Sequence, residues 1–151
     1  MAQLECELAS FTGVKHAVTC ASGTDALVIA LMAKGVGPGD AVFTSPFTFV
    51  ASAEAIALVG ATPVFVDIEP VGFNLDPAGL LKAAEALKQQ DRSVYPLPAA
   101  ENDELSRLTP RGVVAVDLFG LPAEYDPITA FAAEHDLFVI EDAAQSFGAS
   151  C

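Results

Sequence analysis

The residues best suited to chemistry stand near the C-terminus, in Leu137-Phe-Val-Ile-Glu-Asp-Ala-Ala-Gln-Ser-Phe147. Two carboxylates, Glu141 and Asp142, follow the apolar run Leu137 to Ile140, which reads as a short strand buried on both faces. In open α/β sheets ligands collect beyond the carboxyl ends of strands, so Asp142 is placed where chemistry happens, with the amide of Gln145 three residues on. An acidic residue that merely ends a strand or caps the next turn has the same local pattern. A second group, Ser22-Gly23-Thr24-Asp25, is a turn and N-cap cluster before an apolar helix. The first N–H groups of such a helix need acceptors, and a phosphate can supply them where Gly23 lets it approach the backbone. A plain capping turn is the alternative. The third group is Phe47 and Phe49, which pack in a core or stack a ring on a flat ligand.

These groups need elements to carry them. Leu4, Leu8 and Phe11 have helical spacing and read as the tail of an amphipathic helix that Gly13 stops. Lys15 to Thr19 reads as a short strand. The helix Ala26 to Lys34 is apolar nearly all round and is expected to be buried. Gly35-Val36-Gly37-Pro38-Gly39-Asp40 follows a helix and precedes a strand, which makes it a C-cap and turn and not a dinucleotide fingerprint. Strands are expected at Ala41–Thr44, Thr62–Ile68 and Val113–Val116, the last ending at Asp117. Helices are expected from Val50 to Val59, from Ala78 to Lys88 behind Asp76-Pro77, and after Asp126-Pro127. Gln89 to Arg111 reads as a long polar loop. Strands and helices alternate, which predicts an α/β fold with a mostly parallel, doubly wound sheet and helices on both faces.

The totals set limits. The chain has 151 residues, about one domain. It is 52% hydrophobic with 18% charged residues, an apolar excess that suits burial against further chain or a partner subunit. Twenty acidic residues against seven basic ones give a net charge of −13, which disfavours nucleic acid and anionic membrane as partners. No apolar run approaches the roughly 18 residues of a membrane span, and the first residues lack a basic signal region. Cys6, Cys20 and Cys151, with His16 and His135, form no metal-ligand spacing. They read as free thiols of a cytoplasmic protein.

An anion cradle, a stacking face and a carboxylate for a ring nitrogen together describe one flat, phosphorylated, nitrogen-containing ring, and pyridoxal 5′-phosphate fits. The motifs Ser22-Gly23-Thr24-Asp25-Ala26-Leu27, Gly35 to Asp40, Ser45-Pro46-Phe47-Thr48-Phe49-Val50-Ala51-Ser52, Gly60 to Asp67 and Glu141-Asp142-Ala143-Ala144-Gln145-Ser146-Phe147-Gly148 resemble the DegT/StrS-type sugar aminotransferases. These are fold-type I pyridoxal-phosphate enzymes of amino-sugar and polysaccharide biosynthesis. The resemblance covers nearly the whole chain. It implies that Gly23 and Thr24 hold the phosphate, Phe49 stacks on the pyridine ring and Asp142 pairs with its nitrogen. Gln145 would bond the ring hydroxyl or stack nearby. A carboxylate about 4 Å from a cation is worth roughly 4 kcal/mol at an effective dielectric of 20, enough to hold the ring nitrogen protonated.

The resemblance also sets departures. Asp117 stands where many relatives carry His. The family's Schiff-base lysine lies some tens of residues past the Asp142 motif, beyond Cys151, and Lys15, Lys34, Lys82 and Lys88 match no lysine motif. The expectation is therefore a partial large, cofactor-binding domain over residues 1–151, inactive alone, without the small C-terminal domain. Its parent would be a homodimer that moves an amino group from an amino acid, glutamate by family habit, to a keto sugar nucleotide. Alternatives are a deoxysugar dehydratase of the same family, with histidine for the lysine, and a non-catalytic fragment. A nicotinamide-binding domain is disfavoured because no Gly-x-Gly-x-x-Gly follows the first strand.

Overall fold

The short apolar runs pair side by side in one direction. The computed structural model, which describes residues 1–99 and 105–149, holds β1 (Asp40–Thr44), β2 (Thr62–Phe65), β3 (Thr109–Val116) and β4 (Phe138–Asp142) in a parallel sheet of order β2-β1-β3-β4. Ala41 and Phe43 of β1, with Val113 and Ala115 of β3, enter one apolar cluster, while Val42 and Val114 enter the other. Both faces are thus covered, and strands of this kind need no polar alternation. Helices α4 (Pro77–Gln89) and α5 (Tyr125–Glu134) cover the first face through Leu80, Ala83, Leu87, Ile128 and Phe131. Helices α2 (Gly23–Ala33) and α3 (Ala51–Leu58) cover the second through Leu27, Leu31, Ala55 and Ile56. This is the doubly wound α/β arrangement expected.

The caps fix the directions of the helices. Ser22 caps α2 by accepting from Asp25 N–H, and Asp76, with Pro77 at the first helical position, caps α4 by accepting from Ala78 N–H. At the other end of α2, Gly35 has φ 72°, Gly35 N–H donates to Met32 O and Val36 N–H to Leu31 O. That is a Schellman ending, so the glycine-rich stretch is the predicted C-cap and turn. It leads within a few residues into Asp40, the start of β1. Helix α2 therefore runs back along the sheet, and its N-terminus lies at the carboxyl ends of the strands.

Several boundaries differ from expectation. Lys15–Thr19 is not a strand: it has no sheet neighbour among the described residues, and a lone extended segment leaves its ladder groups unpaired. Glu5 of α1 (Ala2–Thr12) holds it instead, accepting from Thr19 N–H at 3.0 Å and Oγ1 at 2.8 Å. Helix α2 starts three residues early and is not buried all round, since only Leu27 and Leu31 are buried while Ile29 and Met32 stay exposed. Strand β2 ends at Phe65 because Asp67 N–H turns to Tyr95 Oη and Ile68 bridges antiparallel to Leu75. Helix α5 starts at Tyr125, with Glu124 and not Asp126 at the cap. The expected loop 89–111 is shorter than predicted, because pairing with β1 draws Thr109–Arg111 into β3. Tyr95 and Leu97 pack against the core, and residues 100–104 of that stretch lie outside the described residues.

Candidate functional site

Strand alternation decides where β4 aims its last residues. Phe138 and Ile140 pack with the α2/α3 cluster, Leu137 and Val139 with the α4/α5 cluster. Asp142 therefore turns towards α2 and α3, and Glu141 towards α5. Asp142 Oδ2 accepts a hydrogen bond from Ser52 Oγ at 2.8 Å, and Ser52, in the first turn of α3, is 1% exposed. Ser52 N–H in turn donates to Phe49 O at 3.3 Å. Asp142, Ser52 and Phe49 thus form one bonded corner at the carboxyl end of the sheet.

The start of α2 reaches the same end on the same face, packed beside α3. Ser22 satisfies Asp25 N–H and Ala26 N–H, but the N–H groups of Gly23 and Thr24 have no acceptor among the described residues. A Cβ on Gly23 would meet nothing within 4 Å, so the approach to those donors is open. Unpartnered donors at a helix's positive end form an anion cradle. Thr44, which alternation puts on the Val42 side of β1, and Thr48 bury hydroxyls that lack any partner among the described residues. Such orphans suit the polar groups of a ligand.

The two aromatics separate. Phe49 is 68% exposed and has no ring partner among the described residues, whereas Phe47 lies 6.0 Å from Phe73, which meets Phe119 edge-on at 6.4 Å. Phe49 is thus the ring available to cover a flat ligand. Gln145 Oε1 accepts from Phe119 N–H at 2.8 Å in the turn Leu118–Gly120. Its amide nitrogen is left as a donor.

Behind Asp142 lies a second, buried set. Asp117 is fully buried and accepts from Ser146 Oγ at 2.6 Å, Tyr125 Oη at 2.8 Å and Ala123 N–H at 3.0 Å, while its own N–H donates to Asp142 O at 3.2 Å. Burial, then the charge of Asp117 and a hydrogen bond to it, push the Glu141 carboxyl above its ordinary range. Burial, the bond to Asp117 and the nearby carboxylates push the Tyr125 phenol far up. Asn74, also buried, holds the same loop, accepting from Leu118 N–H and donating to Leu121 O.

Of the residues singled out in the sequence, Asp142 and Phe49 are joined through Ser52, Gly23 and Thr24 open α2 at the same end of the sheet, and Gln145 bonds Phe119 in the turn after β3. Ser52 has no site role in the sequence reading, although a hydroxyl three residues past Phe49, in a helix's first turn, is a usable signal. Asp117 and Asn74 act through partners distant in sequence, whereas Thr44 stands out by a buried hydroxyl that has no partner among the described residues. Lys34 lies over the Phe138 ring, 5.9 Å from its centre, at the opposite end of β4, and Lys82 and Lys88 belong to α4 on the other face. Among the described residues no cluster suits a metal ion and no helix is long and apolar enough to cross a membrane.

Comparison with known proteins matches residues 1–151 to the DegT/DnrJ/EryC1/StrS aminotransferase family. The chain belongs to that family. DegT/DnrJ/EryC1/StrS relatives include the UDP-2-acetamido-2-deoxy-3-oxo-D-glucuronate aminotransferase of Pseudomonas aeruginosa, 48% identical over 150 residues, or 98% of this chain and 35% of that protein. A crystal structure of a Brucella abortus member superposes with a TM-score of 0.83 at 46% identity, over 96% of this chain and 35% of that one. NtdA of Bacillus subtilis, solved with the cofactor PMP bound, superposes with a TM-score of 0.79 at 29% identity, over 97% of this chain and 29% of that one. The chain thus spans about a third of the length of these relatives.

Proposed function

We propose that the chain is part of the large, cofactor-binding domain of a pyridoxal-phosphate-dependent aminotransferase. The whole enzyme, a cytoplasmic homodimer, would move an amino group from an amino acid, glutamate, to a keto sugar nucleotide. Family membership and the sugar-nucleotide substrate in the name of the Pseudomonas relative support this reading. The observation that carries it is the Ser52–Asp142 hydrogen bond, which holds a carboxylate at the end of the sheet where α2 begins, with the N–H groups of Gly23 and Thr24 lacking an acceptor among the described residues. Those residues fit the cofactor: an anion cradle, an uncovered ring and a carboxylate at one end of the sheet.

In this reading the N–H groups of Gly23 and Thr24 hold the phosphate, and Phe49 covers one face of the ring. Ser52 occupies Asp142 Oδ2, and Oδ1 makes only a long 3.4 Å contact with Ala144 N–H, so Oδ1 is the oxygen available to the ring nitrogen. Through it Asp142 keeps a proton on that nitrogen. Gln145 contributes its free amide at the rim. Bound there, the cofactor would supply the electron sink that amino-group transfer requires. In this reading Lys34, over the Phe138 ring at the other end of β4, and Lys82 and Lys88, on α4, stand away from the cofactor. Equilibrium dialysis with pyridoxal 5′-phosphate tests the reading. Asp142→Asn should weaken binding tenfold or more, about one pK unit of lost interaction. Equal binding by variant and native chain would overturn it.

A further inference from the structure

The most constrained charged group in the described structure lies outside the proposed cofactor contacts. Asp117 is 0% exposed at the end of β3, yet both its oxygens are engaged: one takes Tyr125 Oη and Ala123 N–H, the other takes Ser146 Oγ. A carboxylate has the lone pairs for all three, and charge-assisted bonds are the stronger class. Each donor comes from a different direction. Tyr125 is the first residue of α5, Ala123 belongs to the loop between β3 and α5, and Ser146 closes the turn after β4, where Ser146 N–H donates to Ala143 O at 3.1 Å. That turn carries Asp142 at one end and Gln145 next to Ser146. The backbone adds another tie, Asp117 N–H to Asp142 O. Gln145 completes a loop of contacts by holding Phe119, a non-glycine residue with φ 58° that needs such support.

We propose that Asp117 is a positioning residue for the candidate site. It clamps the Asp142–Ser146 turn from the α4/α5 side of the sheet through Ser146 and so fixes the direction in which Asp142 faces α2 and α3. Among the described residues the Asp117 side chain makes no hydrogen bond to Asp142, Ser52 or Phe49; it acts through the turn. The ionisable groups around it are Tyr125 on α5 and Glu141 and Asp142 on β4. Glu141 shares the Asp117 face and keeps its proton to higher pH beside that charge, so its titration reports the clamp. The functional consequence rests on the cofactor reading above; the clamp itself does not.

The experiment takes Asp117→Asn and Ser146→Ala and reads two quantities. The first is the Glu141 carboxyl midpoint by carbon-13 NMR, with the amide shifts of residues 142–148, in the cofactor-free chain. The second is the dissociation constant for pyridoxal 5′-phosphate as a function of pH. Asp117→Asn should lower the Glu141 midpoint, and both variants should shift the 142–148 amides while those of β1 and β2 stay in place. Both should weaken pyridoxal phosphate binding by about tenfold, the loss of one charge-assisted bond, and Asp117→Asn should also alter the pH profile of that binding. An unmoved Glu141 midpoint with unmoved turn amides overturns the clamp. Moved amides with unchanged affinity overturn the positioning role. If the native chain binds no pyridoxal phosphate, the cofactor reading fails while the NMR result still decides the clamp.

Discussion

A carboxylate fixed at one oxygen presents the other in a set direction, and Ser52 does this for Asp142. Ser52 is buried, so removing its hydroxyl leaves an acceptor short of a partner without opening a large cavity. Ser52→Ala should therefore cost about 1–3 kcal/mol of stability, the range for a lost bond to a charged group. It should also weaken pyridoxal phosphate binding several-fold. Chemical denaturation and dialysis on the same protein check both, and unchanged stability would mean that the bond is idle. Tyr125 offers a spectroscopic reading. Its phenol, raised by burial and by its bond to Asp117, should keep its proton at alkaline pH until the fold opens, and Tyr125→Phe should remove that late absorbance step. At this scale sequence reading reaches residues whose local pattern is distinctive. Asp142 follows an apolar run and Gly23 opens a helix, and both can be found without a partner. The roles of Ser52 and Asp117 cannot, because each acquires its meaning from a contact made only when the sheet assembles.

Elements are legible where their period or punctuation is strong. The runs at β1, β3 and β4, the Asp76-Pro77 start of α4 and the glycine ending of α2 all follow from local physics. The segment Lys15–Thr19 does not, since its apolar content suits a strand but strand formation depends on a neighbour that the described residues do not provide. The apolar circumference of α2 likewise says nothing about which side is covered. Two substitutions test what sets the elements. Gly112 sits opposite Phe138 in the β3–β4 register, and a Cβ there would run into the Phe138 ring. Gly112→Ala should cost about 1–3 kcal/mol by overpacking, and Gly112→Ala with Phe138→Leu should recover part of it. Asp76→Ala removes the α4 cap and should cost about 1 kcal/mol. Thermal melts read both, and a neutral Gly112→Ala would contradict the tight β3–β4 approach.

For the molecule as a whole, charge decides the conditions under which the fold holds. Its net charge of −13 and its pI of about 4.2 mean that self-repulsion grows as pH rises towards neutrality. Individual groups add to this with definite signs. Glu141 is raised from an ordinary 4.5, so its contribution is full below pH 4.5 and is lost as pH climbs through the raised midpoint. Glu5 is lowered from 4.5 by the Thr19 backbone and hydroxyl, and Asp91 from 3.8 by the Ser93 hydroxyl and backbone. Their contributions are present above those values and are lost as pH falls. The two trends meet on the mildly acidic side, where the melting temperature should peak. Glu141→Gln mimics the protonated carboxyl, so its melting temperature should rise relative to the native chain as pH moves from about 4.5 to 8. Added potassium chloride at neutral pH should raise both, because a Debye length of about 8 Å at 0.15 M screens the surface repulsion. A gap between the two proteins that stays constant across that range would show that the Glu141 carboxyl is not raised in the folded state.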